Sequence, residues 1–153
     1  MFTSPFFTRT LSTGISVAAP LHEVWATLID FATYPQWNHL LSNVESSLKP
    51  GGAFNFSIAL DGKVLHRQST LIAAIPNAEL RWSGPRDPAL RPLFSGNHYL
   101  KLFELDRTTT YVDHGETFSG LLLPALWPML GSKLLRHYVK MNAELKGYVE
   151  EKA

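Results

Sequence analysis

Hydrophobic and polar positions along this chain change period, and the changes mark its elements. Phe54, Phe56, Ile58 and Leu60 alternate with Ala53, Asn55, Ser57 and Ala59, which predicts a half-buried strand over 53–60. Asp61-Gly62 follows as a hairpin turn. Further strands are predicted over Val64–Ile75 and, beyond the turn at Pro76-Asn77, over Glu79–Ser83. Gly84–Pro92 carries three prolines and reads as a loop. A strand over Asn97–Leu105 turns near Asp106–Thr109 into another that ends at Gly120.

The flanks have a different rhythm. Leu11–Val17 suits a first strand, and Leu21, Val24, Trp25, Leu28 and Ile29 recur at helical spacing behind Pro20. A second short helix over Phe31–Trp37 is interrupted near Tyr34-Pro35, because the residue before proline disfavours the α region. Asn43–Leu48 is a weaker strand candidate, closed by Pro50-Gly51-Gly52. At the far end Trp127, Leu130, Leu134, Tyr138, Met141, Leu145 and Tyr148 form one apolar stripe on a long helix, Pro124–Glu151. Pro128 fits only its first turn, so the regular helix is expected to begin close to it.

Successive strands joined by short turns imply an antiparallel sheet. Its apolar face should pack on the apolar stripe of the helix, giving an α+β domain over residues 1–153. Phe54, Phe56, Leu100, Leu102, Val112 and Phe118 are expected on the inner face of that sheet.

Composition narrows the function. Hydrophobic residues make up 45% of the 153 and charged ones 18%, which suits a folded globular chain rather than a disordered one. The net charge of +1 is spread without a basic stripe, so no nucleic-acid partner is expected. With no cysteine there is no disulfide, thiol chemistry or thiolate metal site, in keeping with the cytoplasm. The N-terminal segment carries Phe2, Phe6 and Phe7 but lacks the basic start and apolar core of a signal peptide. The apolar run Leu121–Leu130 is about half a bilayer span and holds two prolines, so no stable membrane insertion is expected.

The chemistry concentrates in the last strand. Val112, His114, Glu116 and Phe118 fall on one face, apolar at both ends, so an imidazole and a carboxylate are turned inward. Leaving such groups unpartnered inside costs roughly 2–7 kcal/mol even for a neutral group, which argues for a cavity with water or a ligand. A hairpin turn centred on Arg107 sets His98 opposite Glu116 and Leu100 opposite His114. A turn centred on Thr108 instead sets Leu100 opposite Glu116. Both leave His98, His114 and Glu116 on one face, provided no bulge intervenes.

The chain resembles the START-like (SRPBCC, helix-grip) superfamily, and within it the bacterial polyketide cyclase/dehydrase-like group. The resemblance rests on Ile15-Ser16-Val17-Ala18-Ala19-Pro20 with Val24-Trp25, and on Asp30-Phe31 and Tyr34-Pro35-Gln36-Trp37-Asn38. It is extended by Gly96-Asn97-His98-Tyr99 and by His114-Gly115-Glu116-Thr117-Phe118-Ser119-Gly120. It implies a curved sheet gripping the last helix around a deep, mostly apolar cavity, with no metal and no cofactor. It fixes no reaction, since fold alone does not give function.

Three readings of His98, His114 and Glu116 stay open. They could order the sheet as a paired polar cluster. They could be the polar anchor of a pocket walled by Phe54, Phe56, Leu100, Leu102, Phe118, Trp127, Leu134 and Tyr138. Or a histidine paired with Glu116 could do acid–base work of the cyclase/dehydratase type. Trp37 is expected in the core or cavity wall, its short helix serving as a lid. The expected partner is a small hydrophobic molecule, lipid-like or polyaromatic, and the oligomeric state stays open. Arg67 and Arg81 are expected on the exposed sheet face, and His22 and His137 in solvent. There is no phosphate loop and no nucleophile elbow.

Overall fold

The computed structural model describes residues 6–152; Phe2, and the outer limits of the 1–153 domain, lie outside the described residues. In chain order the elements are β1 (Thr8–Val17), α1 (Leu21–Ile29), a 3-10 helix (Phe31–Gln36), β2 (Leu41–Ser46) and β3 (Ala53–Leu60). There follow β4 (Lys63–Ile75), β5 (Glu79–Gly84), β6 (Ser95–Asp106), β7 (Thr109–Ser119) and α2 (Leu123–Lys152). The strands form one antiparallel sheet in the order β1-β7-β6-β5-β4-β3-β2, so the first strand closes beside the last.

The local chemistry accounts for the joints. Asp61 and Gly62 both have positive φ, 49° and 85°, as the tight turn between β3 and β4 requires. Along α2 the buried Leu134, Tyr138, Met141, Leu145 and Val149 return every three or four residues and meet the sheet through β1 and β7. This is the helix-grip arrangement expected from the strand order. One detail differs, because α2 is already helical from Leu123 and runs through Pro128. The carbonyl four residues before Pro128 belongs to Pro124 in the first turn, so a single intrahelical bond is given up.

The core lies in the concave side of the sheet. Phe54, Leu100, Leu102, Val112 and Phe118 are buried there and Phe56 is half-buried. α1 covers β6 and β7 toward their shared hairpin. Over the other end of these strands the concave space stays open, and there the site lies.

Candidate functional site

The strand register builds the site. β6 pairs with β7 so that His98 faces Glu116, Leu100 faces His114 and Gly96 faces Phe118, the register of a turn centred on Arg107. The one irregularity in this pair lies between Glu104 and Asp106, beyond the site, so the three polar residues keep a common face. Trp82 on β5 is the other neighbour of His98; their rings stack at 4.3 Å, and Phe54 stacks beyond Trp82 at 4.3 Å.

A hydrogen-bond chain links the polar groups. His98 Nδ1 lies 3.2 Å from Glu116 Oε1, and His98 Nε2 lies 2.7 Å from His114 Nε2. His114 Nδ1 meets Asn142 Oδ1 on α2 at 2.7 Å. Asn142 Nδ2 donates to Thr13 Oγ1 at 2.9 Å, and that hydroxyl donates to the His114 carbonyl at 2.6 Å. The Tyr138 hydroxyl donates to Glu116 Oε1 in a very short contact.

Counting donors fixes the protons. Thr13 spends its proton on a carbonyl, so it accepts from Asn142, and Asn142 Oδ1 therefore accepts from His114 Nδ1–H. His114 is fully buried, and burial, reinforced by the neighbouring His98, lowers its pKa to about 3. Neutral with its proton on Nδ1, it must accept at Nε2 from His98 Nε2–H. His98 Nδ1 and Glu116 Oε1 then hold one proton between them, as imidazolium and carboxylate or as imidazole and carboxylic acid. Burial, and next the charge of Glu116, push the Tyr138 hydroxyl well above its usual pKa, so it stays a donor.

Beside this cluster lies a cavity of about 660 Å³. His98, Glu116, Phe56, Phe118, Leu134 and Tyr138 line it. The remaining residues expected at the pocket sit elsewhere. His114 is a layer deeper, behind His98. Phe54 is covered by Trp82, which takes its place in the wall. Leu100 and Leu102 are in the buried core on the α1 side of the sheet. Trp127 packs on Phe118 from outside, at 5.4 Å between rings. Trp37 is buried against Tyr34 and stacks on Tyr148, toward the C-terminal end of α2. The lid role expected for its helix finds no counterpart at the cavity mouth, which is framed by Leu90, Leu93, Leu122, Leu126 and Met129.

Two expectations are corrected. Arg67 pairs across from Phe56, so the pleat turns it to the inner face and to the edge of the cavity. Arg81 does lie on the outer face, bonded to Glu79 and Asn97. His137 is not simply solvated: it stacks on His39, bonds it at 2.9 Å, and reaches Asp61 at 3.1 Å. His39 in turn holds Glu144 at 2.5 Å, so a second polar chain ties the β3–β4 turn to α2. Among the described residues no group of three or more His, Asp or Glu is placed to hold a metal ion.

Sequence reasoning passed over Asn142 and Trp82, and met Gly96 only as part of the Gly96-Asn97-His98-Tyr99 segment, without a role for it. Asn142 had a signal: it interrupts the buried side of α2 one turn after Tyr138. Trp82 alternates with Leu80 on β5, but six residues are too few to set its face without the neighbouring register.

Comparison with known proteins places the chain. Residues 18–112 match the family described as Activator of Hsp90 ATPase homolog 1-like protein. The chain belongs to this family. Its match includes His98 but stops short of His114, Glu116, Tyr138 and Asn142. No curated protein matches the chain. Among solved structures it is similar to the Zhui aromatase/cyclase from Streptomyces sp. R1128, with 19% identity, 95% of each chain covered and a TM-score of 0.76. It is also similar to a START superfamily protein from Mycobacterium smegmatis, at 16% identity, 94% and 99% coverage and a TM-score of 0.69. A third is norcoclaurine synthase from Thalictrum flavum, at 11% identity, 95% and 97% coverage and a TM-score of 0.70. At these identities the likeness establishes the START-like fold. No helix among the described residues is long and apolar enough to cross a membrane.

Proposed function

We propose that the chain binds a small hydrophobic molecule, lipid-like or polyaromatic, between the sheet and α2, with the ligand's polar end at Glu116 and His98. The carrying observation is the cavity of about 660 Å³, apolar on most of its wall and polar at its inner end. Protein interiors are close-packed, and voids much larger than a water molecule are rare without a use. Apolar pockets of roughly 300–1,000 Å³ with few convergent polar groups are the usual form of small-molecule sites. Phe56, Phe118, Leu134 and Tyr138 serve as the wall and Arg67 marks the edge. In this reading residues 1–153 act as one START-like domain in the cytoplasm, without a cofactor.

Native mass spectrometry of protein purified from its own source, with a fluorescent naphthalene-type dye as titrant, tests it. A co-purifying hydrophobic mass and saturable dye binding are expected. Ile58→Trp, which fills part of the cavity wall, should abolish both. Dye binding that survives Ile58→Trp undiminished, or no binding of any hydrophobic compound, refutes the assignment.

A second reading is favoured by the single proton held between His98 and Glu116. A carboxyl–imidazole pair that can give or take one proton beside an apolar pocket is equipped for cyclase or dehydratase chemistry on a carbonyl compound. The Zhui protein is named an aromatase/cyclase, which suits this alternative.

A further inference from the structure

We propose that the cavity selects ligands carrying a neutral hydrogen-bond donor, a phenolic or alcoholic hydroxyl, which ends on Glu116 Oε2, and that Gly96 is the position that makes this possible. The proposal rests on the ligand-binding reading above.

The two oxygens of Glu116 are used differently. Oε1 takes the Tyr138 hydroxyl and faces His98 Nδ1. Oε2 takes no hydrogen bond from any described residue, yet Glu116 lines the cavity and its side chain is 14% exposed. The ligand-facing polar atom is therefore Oε2. It accepts whichever way the shared proton lies. With the proton on His98 both oxygens belong to a carboxylate; with the proton on Oε1, Oε2 is the carbonyl oxygen of the acid. A ligand carbonyl or ether would set lone pair against lone pair, and only a donor completes the site. The His98–Glu116 pair is neutral overall in both arrangements. A buried ammonium would thus find no net countercharge for its desolvation, which leaves the hydroxyl as the fitting donor.

Gly96 provides the room. It stands on β6 two residues before His98 and opposite Phe118, on the same inner face. A Cβ at this position would overlap Oε2 and come within 3.1 Å of the carboxyl carbon. Its backbone is not in the left-handed region, so an alanine is conformationally acceptable there. The nearest atoms a methyl would meet all belong to the Glu116 side chain. Glycine at 96 is explained by the carboxylate lying against it, and any larger residue must push Oε2 from its place.

The test compares 2-naphthol with 2-methoxynaphthalene, equal in shape but differing in the donor, by calorimetric titration on wild type and Gly96→Ala. Wild type should prefer 2-naphthol by about tenfold or more, the usual scale of a hydrogen bond to a charged or strongly polarised acceptor. In Gly96→Ala the preference should fall to within about twofold. Gly96→Ala should also be silent in melting temperature when added to Glu116→Ala, where the carboxylate is gone; this holds even if the single variant folds poorly. Equal binding of the two compounds by wild type overturns the hydroxyl reading while leaving the cavity a binding site. A Gly96→Ala protein that keeps the preference, or a cost of Gly96→Ala that persists without the carboxylate, overturns the part given to Gly96. Binding of neither compound overturns this inference and the ligand-binding reading together.

Discussion

Acid should weaken this fold through His114 before it reaches the carboxylates. In the unfolded chain a histidine takes up its proton near pH 6.5, whereas in the native fold burial holds His114 neutral down to about 3. A folded-state value below the unfolded one means that stability is complete above pH 6.5 and is lost as pH falls toward 3, because only the unfolded chain gains the proton. One such proton is worth about 1.4 kcal/mol per pH step. Between pH 6.5 and 4.5 the loss comes to about 2 kcal/mol, and for a domain of this size roughly 4–8 °C in melting temperature. Asp61, Asp106 and Glu150 are held below the ordinary carboxylate range by their hydrogen bonds, so they add to the loss only below about pH 4.5. The assay is urea unfolding at pH 7, 5.5 and 4.5, on wild type and on His114→Gln, whose amide can still accept from His98 while carrying no titrating group. Subtracting the two profiles cancels the other histidines. Parallel profiles would show that His114 does not enter the native state neutral. A wild type that gains stability on acidification relative to the variant would reverse the sign and refute the argument outright.

Two further outcomes follow from the same geometry. Asn142→Leu fills a similar space but orphans His114 Nδ1–H inside the protein and breaks the bond to Thr13; it should cost about 2–4 kcal/mol in urea unfolding, and an unaltered midpoint would contradict the chain of donors. Glu116→Gln separates the two functional readings: in an enzyme, turnover should fall roughly 100-fold or more with binding retained, whereas in a binder the change should stay within one charged hydrogen bond, about 1.5–3 kcal/mol in affinity by titration.

The fold was legible because its signals are long and local. The alternation over 53–60, the Asp61-Gly62 turn and the apolar stripe of α2 each span enough residues to fix a period. The β6–β7 hairpin, in contrast, had two registers that both kept His98 and Glu116 on one face, and only the folded pairing selects the turn centred on Arg107. What stayed hidden depends on depth rather than on face. Leu100 and His98 point the same way from β6, yet α1 covers the strand on the Leu100 side and leaves the cavity on the other. Periodicity reports which way a side chain turns; it carries no information on what lies above it. Arg67 failed for the complementary reason. A charged residue suggests the outer face, but the mouth of a cavity lets an inward-turned guanidinium keep its water, so the pairing with Phe56 overrides the preference. Asn142 and Thr13 are 129 residues apart and meet only through the grip of α2 on β1.

The polar chain behind Glu116 is built to orient a group rather than to conduct protons. From Glu116 it runs through His98 and His114 to Asn142 and Thr13, and Thr13 turns it back onto the carbonyl of His114. An amide side chain does not exchange a proton on the way, and the last acceptor is a backbone oxygen, so the chain passes no proton beyond Asn142 although Thr13 itself is only half-buried. His114, neutral and tied at both nitrogens, can offer His98 only a lone pair. That forces the remaining proton toward Glu116, and Tyr138 closes the same oxygen from the helix side. The chain Asp61–His137–His39–Glu144 is the contrast: its carboxylates are partly exposed, Asp61 to 49%, and each end meets solvent. Proton exchange at Glu116 therefore has one route, through the cavity and whatever occupies it. A ligand that donates a hydrogen bond and keeps its proton makes the site an anchor; one acidic enough to surrender it makes the same atoms a base. The protein supplies identical geometry in both cases, and the acidity of the bound group decides between them.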